Sequence, residues 1–242
     1  MSIQTIHQPK QSTPTESGPN IKPSPLNSGD RLSRAEFEKR YEAHPEIKKA
    51  ELIEGVVYVP SPTRLEHGDL HFNIIGWLAV YRAATPGVIG SDNATVRLDL
   101  ENEPQPDVSL RLKPELGGRT HVSEDGYLEG PPELVVEVAA SSASYDLHDK
   151  RRAYARNGVP EYLVLQTYEQ RVAWFSLQKE GYELLEPDEK GVLRSKIFPG
   201  LWLQPAALWS GDLATMLAVL QEGLASPEHA AFVEQLRAKS QE

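Results

Sequence analysis

Cysteine is absent from the 242-residue chain, which removes disulfides, thiol nucleophiles and every thiolate metal site. That usage suits a reducing compartment, and a cytoplasmic protein is the expectation. Long apolar runs are missing as well. Hydrophobic residues make up 39% of the chain, yet no stretch approaches the roughly 20 residues of a membrane span, so a soluble protein without membrane contact is expected. The opening MSIQTIHQPK holds no apolar segment of the secretory type. Neither GxGxxG nor GxxxxGKS/T occurs, so no nucleotide cofactor is expected. No GxSxG elbow surrounds Ser141, Ser142 or Ser144, which counts against a serine hydrolase. Positive charge is scarce: 25 Lys and Arg stand against 35 Asp and Glu, leaving −10. A protein that coats nucleic acid indiscriminately needs the opposite balance. A nuclease does not, because a metal offsets its own acids and a local patch can hold phosphate. The candidate patch is KRRAYAR, with Lys150, Arg151, Arg152 and Arg156; a solvated helix face is the plainer reading of Arg152 and Arg156.

What is present divides the chain into three parts. Residues 1–30, rich in Pro, Ser, Thr, Gln and Asn, read as a disordered leader. Residues 31–205 read as one domain and 206–242 as a helical tail. Ser33 with Glu36 has capping-box spacing and starts a short helix. ELIEGVVYVP turns at Glu54-Gly55 as a β-hairpin. Leu70, Ile74, Trp77, Leu78 and Tyr81 recur at helical spacing within residues 65–84, and Pro86-Gly87 ends that helix. ATVRLDL, DVSLRL and ELVVEVA are strands, the last apolar enough for a central position. A charged, glycine-containing loop at 113–132 separates the last two and is the place to look for specificity. A helix with Ser144 as N-cap then runs to Asn157, with Gly158 just past its end. EYLVLQ and RVAWFSLQ follow as strands. The class is α/β, a mixed sheet flanked by helices, with an N-terminal hairpin extension. The amphipathic AAFVEQLRAK of the tail would either make a dimer contact or cover an open sheet edge.

Two acids interrupt the apolar strands. Asp107 begins DVSLRL, on the face of Ser109 and Arg111; Glu137 sits in ELVVEVA beside Val135 and opposite Leu134, Val136 and Val138. Burying an unpaired carboxylate costs several kcal/mol, on the order of what a domain can spare, so an acid on the inner face of a strand demands a reason. Lys150 lies thirteen residues beyond Glu137, on a helical stripe with Leu147, Arg151 and Tyr154 that should face the sheet. Magnesium takes hard oxygen ligands, commonly one or two carboxylates. Asp107 and Glu137 could supply them, together with the Val138 carbonyl, while Lys150 steers a water or offsets developing charge. Each residue also has a plain reading: Asp107 as a turn acid after Pro106, Lys150 as a snorkelling side chain. His67 and His71 have the four-residue spacing of a zinc clamp but lack a third ligand by spacing; His67, facing the cleft, is the better functional candidate. His148 and His229 read as surface residues.

PDVSLRL and GPPELVVEVAASSASYDLHDKRRAYARNGVPEYLVL, with ELIEG and EHGDLH upstream, resemble the Uma-two family of restriction endonucleases in the PD-(D/E)xK nuclease superfamily. The resemblance covers roughly residues 31–205. It implies a restriction-endonuclease-like core and Mg²⁺-dependent cleavage of DNA, with Mn²⁺ able to substitute, by a homodimer. By the same resemblance Asp107 matches the acid of the PD motif, and Glu137 that of the (D/E)xK motif. Glu137-Val138-Ala139 has alanine where the superfamily has lysine, a departure that Lys150 on the next helix would repair. Glu51 and His67 match further family positions and enter as auxiliary candidates. Two alternatives stay open: a catalytically inactive nucleic-acid-binding or regulatory module, and a metal-free hydrolase using Asp107 and Glu137 as an acid/base pair.

Overall fold

The computed structural model describes residues 22–60, 65–140, 142 and 145–241. Most of the expected leader and Ser144 lie outside these residues. The end of the leader does not: Leu26 is buried, and Ser28 Oγ accepts from the Val59 N–H at 2.9 Å. Residues 22–30 are therefore attached to the hairpin that follows, a correction to the boundary.

Helix α1 (Arg34–Ala43) starts at Ser33, whose Oγ accepts from the Glu36 N–H. Strands β1 (Glu51–Ile53) and β2 (Val56–Tyr58) pair antiparallel across Glu54 and Gly55, both at positive φ (50° and 73°), the geometry of a two-residue primed turn. Helix α2 (Leu65–Ala84) buries Leu70, Ile74, Trp77, Leu78 and Tyr81. A strand absent from the sequence reading follows at once, β3 (Val88–Asp92). Its VIGSD contains a glycine and alternates too weakly to announce itself.

The expected strand ATVRLDL shrinks to β4 (Val96–Arg97) and leaves the main sheet. It pairs instead with β7 (Leu128–Glu129), which also pairs with β6 (His121–Val122). The 113–132 segment is thus partly ordered as a small sheet. Strands β5 (Val108–Leu112), β8 (Leu134–Ala139), β9 (Glu161–Gln166), β10 (Arg171–Gln178) and β11 (Gly181–Leu184) join β3 in a six-stranded sheet of order β11-β10-β9-β8-β5-β3. Within this sheet, among the described residues, β8 and β9 are the parallel pair; the crossover between them holds a π-helical turn (Asp146–Lys150) leading into α3 (Arg151–Arg156).

The hairpin β12 (Leu193–Arg194) and β13 (Trp202–Leu203) and the helices α4 (Pro205–Trp209), α5 (Leu213–Leu224) and α6 (Pro227–Lys239) complete the chain. One face of the sheet, with Val108, Leu110, Leu134, Val136 and Val138, packs on α2 and α5. The opposite face, with Val135, Ala139, Tyr162 and Phe175, is covered by Tyr154 of α3. Both faces of β8 are buried, as its unbroken apolar sequence requires. The tail is part of this packing: Met216 and Leu220 of α5 sit in the main core against α2. His229 is likewise buried, bonded to Thr85 Oγ1 at 2.9 Å and to the Leu224 carbonyl, so the surface reading of that histidine was mistaken. Among the described residues, no helix is long and apolar enough to cross a membrane.

Candidate active site

The antiparallel ladder between β5 and β8 runs from Leu110↔Leu134 to Val108↔Val136 and then stops. Just past its end, Asp107 and Glu137 project on the α3 side of the sheet. Asp107 closes the gap with its side chain, Oδ2 accepting from the Val138 N–H at 2.8 Å. Its backbone carbonyl accepts from His71 Nε2 at 3.0 Å, and His67 Nε2 lies 3.5 Å from Oδ2. Lys49 Nζ stands 3.2 Å from Oδ1. Burial opposes ionisation of Asp107, but His67, Lys49 and the Val138 N–H together hold its carboxyl below the usual carboxylate range. The two histidines do not form a clamp, since His71 is engaged by Asp107 and by Asp92 at 3.2 Å.

Glu137 and Lys150 meet as the strand and helix periodicities require. Lys150 Nζ is 2.9 Å from Glu137 Oε1, 2.9 Å from Glu51 Oε1 and 3.4 Å from Asp146 Oδ1, with all four residues buried. Tyr154 OH also donates to Glu137 Oε1, at 3.0 Å, while Oε2 takes no hydrogen bond among the described residues. Glu51 is fixed by the Gln105 N–H at 2.7 Å and by Tyr145 OH at 3.2 Å. The sequence reading missed Asp146, Tyr145 and Lys49, and gave Tyr154 only as an apolar member of the inward stripe. A signal existed for two of them: Asp146 precedes Lys150 by four residues, and Lys49 precedes Glu51 by two, the period of an extended chain. The π turn carried no such signal. It brings Tyr145 and Lys150 to the same side, with the ammonium 5.1 Å from the ring centroid, and such turns recur at functional sites.

Four buried carboxylates thus face two ammonium groups. Burial pushes the Glu137 carboxyl up to about 8, against the pull of Lys150 and aided by Asp107, Asp146 and Glu51. Asp146 is raised by burial too. Burial works against the Lys150 charge, but Glu137, Glu51, Tyr145 and Asp146 overcome it and hold the ammonium well above its ordinary value. Lys150 is therefore suited to offsetting negative charge, not to taking up a proton.

The cluster lies on the floor of a cleft of about 500 Å³. Lys49, Glu51, His67, Glu137, Asp146 and Lys150 reach it, and Tyr168, 60% exposed, stands at its edge. Among the described residues, none from 113–132 lines this cleft, so the structure gives no support to that loop as a reader of substrate. Three cations of the basic patch are already engaged, while Arg151 lies over the Phe175 ring. Lys150 is interior, Arg152 pairs with Glu54 and Asp149 (2.9 and 2.6 Å), and Arg156 lies within 4.0 Å of Glu54, Asp99 and Glu101. Among the described residues no three His, Asp or Glu side chains converge closely enough to cage a metal unaided.

The chain is similar to a solved structure from Anabaena variabilis ATCC 29413, described as a putative nuclease belonging to DUF820, with 15% identity and a TM-score of 0.53 over 66% of this chain and 89% of that one. That likeness speaks for the fold, a mixed sheet with flanking helices. No curated protein matches the chain. A family match extends over residues 34–206, from α1 through β13, and so takes in every residue of the buried cluster. The protein belongs to the Uma2 family, described as "Putative restriction endonuclease".

Proposed function

We propose that the protein is a Mg²⁺-dependent endonuclease hydrolysing DNA phosphodiester bonds, with Asp107 and Glu137 as metal ligands. The observation that carries this reading is the surplus of buried carboxylates around Lys150 on the floor of an open cleft. Such a surplus is unfavourable in an isolated fold; burial already raises Glu137 and Asp146 towards their neutral forms, and a cation bound there would favour their ionised ones. Magnesium does not need a three-residue cage; it takes one or two carboxylates and fills its shell with water and phosphate oxygens. The free Oε2 of Glu137 and the Oδ1 of Asp107 fit that requirement, and Mn²⁺ would be accepted by the same donors.

Bound there, the cation would supply Lewis-acid polarisation of the phosphate and a more acidic bound water. The chain's own residues do the rest. Lys150, fixed by Glu51 and Asp146, anchors Glu137 through Oε1 and places a permanent positive charge beside the reacting phosphate. Tyr154 holds the same oxygen and leaves Oε2 to the metal. His67 steadies Asp107 from the cleft wall. Glu51 and His67 thus keep auxiliary, positioning roles. Enzymes of this fold that cut both strands of a duplex usually work as dimers, and a homodimer is part of the proposal by that analogy.

The test is a nuclease assay on supercoiled, linear and branched DNA with Mg²⁺ or Mn²⁺, comparing wild type with Glu137→Ala. Metal-dependent nicking that disappears in the variant is the expected result. Equal background in both proteins, with no metal-induced rise in melting temperature, would move the reading to an inactive nucleic-acid-binding module. Cleavage that resists chelator would favour a metal-free hydrolase.

A further inference from the structure

Lys49 is the cation in the cleft that neither the family motif nor the mechanism above employs. Its ammonium bridges Asp107 Oδ1 and Asn93 Oδ1, each at 3.2 Å. The other oxygens of Asp107 are already engaged: Oδ2 by the Val138 N–H and His67, and the backbone carbonyl by His71 and the Asn93 N–H. A metal reaching Oδ1 must therefore displace Lys49 or share that oxygen with it. The lysine can leave. Its side chain is 28% exposed, whereas that of Lys150 is only 3% exposed and enclosed by three acids. Lys49 also lines the cleft, so the space open to a displaced ammonium is the space a substrate phosphate would enter. Arg152 and Arg156 are tied to acids of their own, which leaves this wall of the cleft short of cations for phosphate.

We propose that Lys49 is an exchangeable counter-ion: it holds Asp107 until the metal arrives, then swings into the cleft and binds the substrate phosphate. The idea rests on the metal-dependent reading above. Removing its charge while keeping its length should act with opposite signs on two ligands. Lys49→Met loses the competitor at Oδ1 and binds metal more tightly. It also loses a phosphate contact and binds DNA more weakly. Damage to the fold would weaken both.

The experiment is Mn²⁺ calorimetry on wild type, Lys49→Met, Lys49→Arg and Glu137→Gln, followed by titration of a short fluorescein-labelled DNA in Ca²⁺. Lys49→Met should tighten Mn²⁺ binding at least about fivefold, the effect of one unit charge some 4 Å away even when screened as in bulk water. The same variant should weaken DNA binding several-fold, and Lys49→Arg should restore wild-type behaviour on both counts. If Glu137→Gln loses Mn²⁺ while Lys49→Met binds it as wild type does, or less well, the counter-ion role is overturned and the metal site stands. Tighter Mn²⁺ with unchanged DNA binding overturns the transfer to phosphate. Failure of the wild type to bind Mn²⁺ overturns both this inference and the reading beneath it.

Discussion

At the scale of single residues, the cluster is unusual for how completely its one interior cation is committed. Lys150 answers to Glu51, Glu137 and Asp146 at once. Lys150→Met should therefore lower unfolding stability by about 3 kcal/mol or more at neutral pH, the usual consequence of stranding buried partners. The sign of the pH dependence follows from linkage. Without the ammonium, carboxyls whose folded values are already raised rise further, and a group with a raised folded pKa loses stability as pH increases. The deficit should be larger at pH 9 than at pH 5, as urea titrations at the two values would show. An equal deficit at both would mean that packing, not charge, is what the methionine disturbs. Asp107, Glu137 and Lys150 were legible in the sequence because alternation along strands and the helical repeat dictate facing. Tyr145 was not, since no sequence period announces the π turn that begins just after it, whereas the four-residue spacing of Asp146 from Lys150 was there to be read.

At the scale of elements, the body formed by α1, β1 and β2 carries a second acid pair that is independent of the cleft. Glu103 is buried beside Glu38 and Arg97, and burial with the neighbouring Glu38 pushes its carboxyl up to about 8. Its backbone bonds Leu52 of β1 in both directions, so its state bears on how the hairpin is held. Glu103 keeps its proton in the folded protein to about 8 but loses it near 4.5 when unfolded. It therefore contributes stability at low pH that is lost as pH climbs through that interval. Glu103→Gln should remove this dependence, gaining on the order of a few kcal/mol relative to wild type between pH 5 and pH 9. Melting curves across that range would show it; parallel curves would refute it. A second element-scale expectation concerns α5. A Cβ on Gly223 would lie 2.2 Å from the Gly200 carbonyl oxygen and 2.8 Å from Trp202 Cγ. Gly223→Ala should cost about 1–3 kcal/mol by forcing helix and hairpin apart, measurable as a lower melting temperature. The helices, the hairpin and the central strands announced themselves through period and turn chemistry. Strand β3 did not, because an edge strand with glycine at its centre is ordered by its neighbour and not by its own pattern.

At the scale of the whole molecule, charge decides how the protein should meet DNA. The chain carries −10, and Arg152 and Arg156 are spent on acids of the same molecule. Binding by few cations predicts a shallow salt dependence. With about three or fewer phosphate contacts, the slope of log K against log salt for duplex DNA should be about −3 or shallower. Titrations in Ca²⁺ at several NaCl concentrations would measure it, and a slope near −6 would place a basic surface where none has been described. The tail belongs at this scale too. Because Met216 and Leu220 fill the main core against α2, a chain ended at Gln204 should lose cooperative unfolding altogether. The sequence made these helices visible but not their place, since where an amphipathic helix docks is settled by surfaces far from it in the chain.

The site draws on Glu51, Asp107, Glu137 and Lys150, and its lysine-bearing turn is held by Tyr162 OH, which donates to the Asp146 carbonyl at 3.0 Å. No single stretch of the chain contains a working fragment. In the folded chain these parts are brought together across β8 and β9, which pair in parallel. On the proposed reading, an unfinished chain would lack the assembled site and leave nucleic acid uncut.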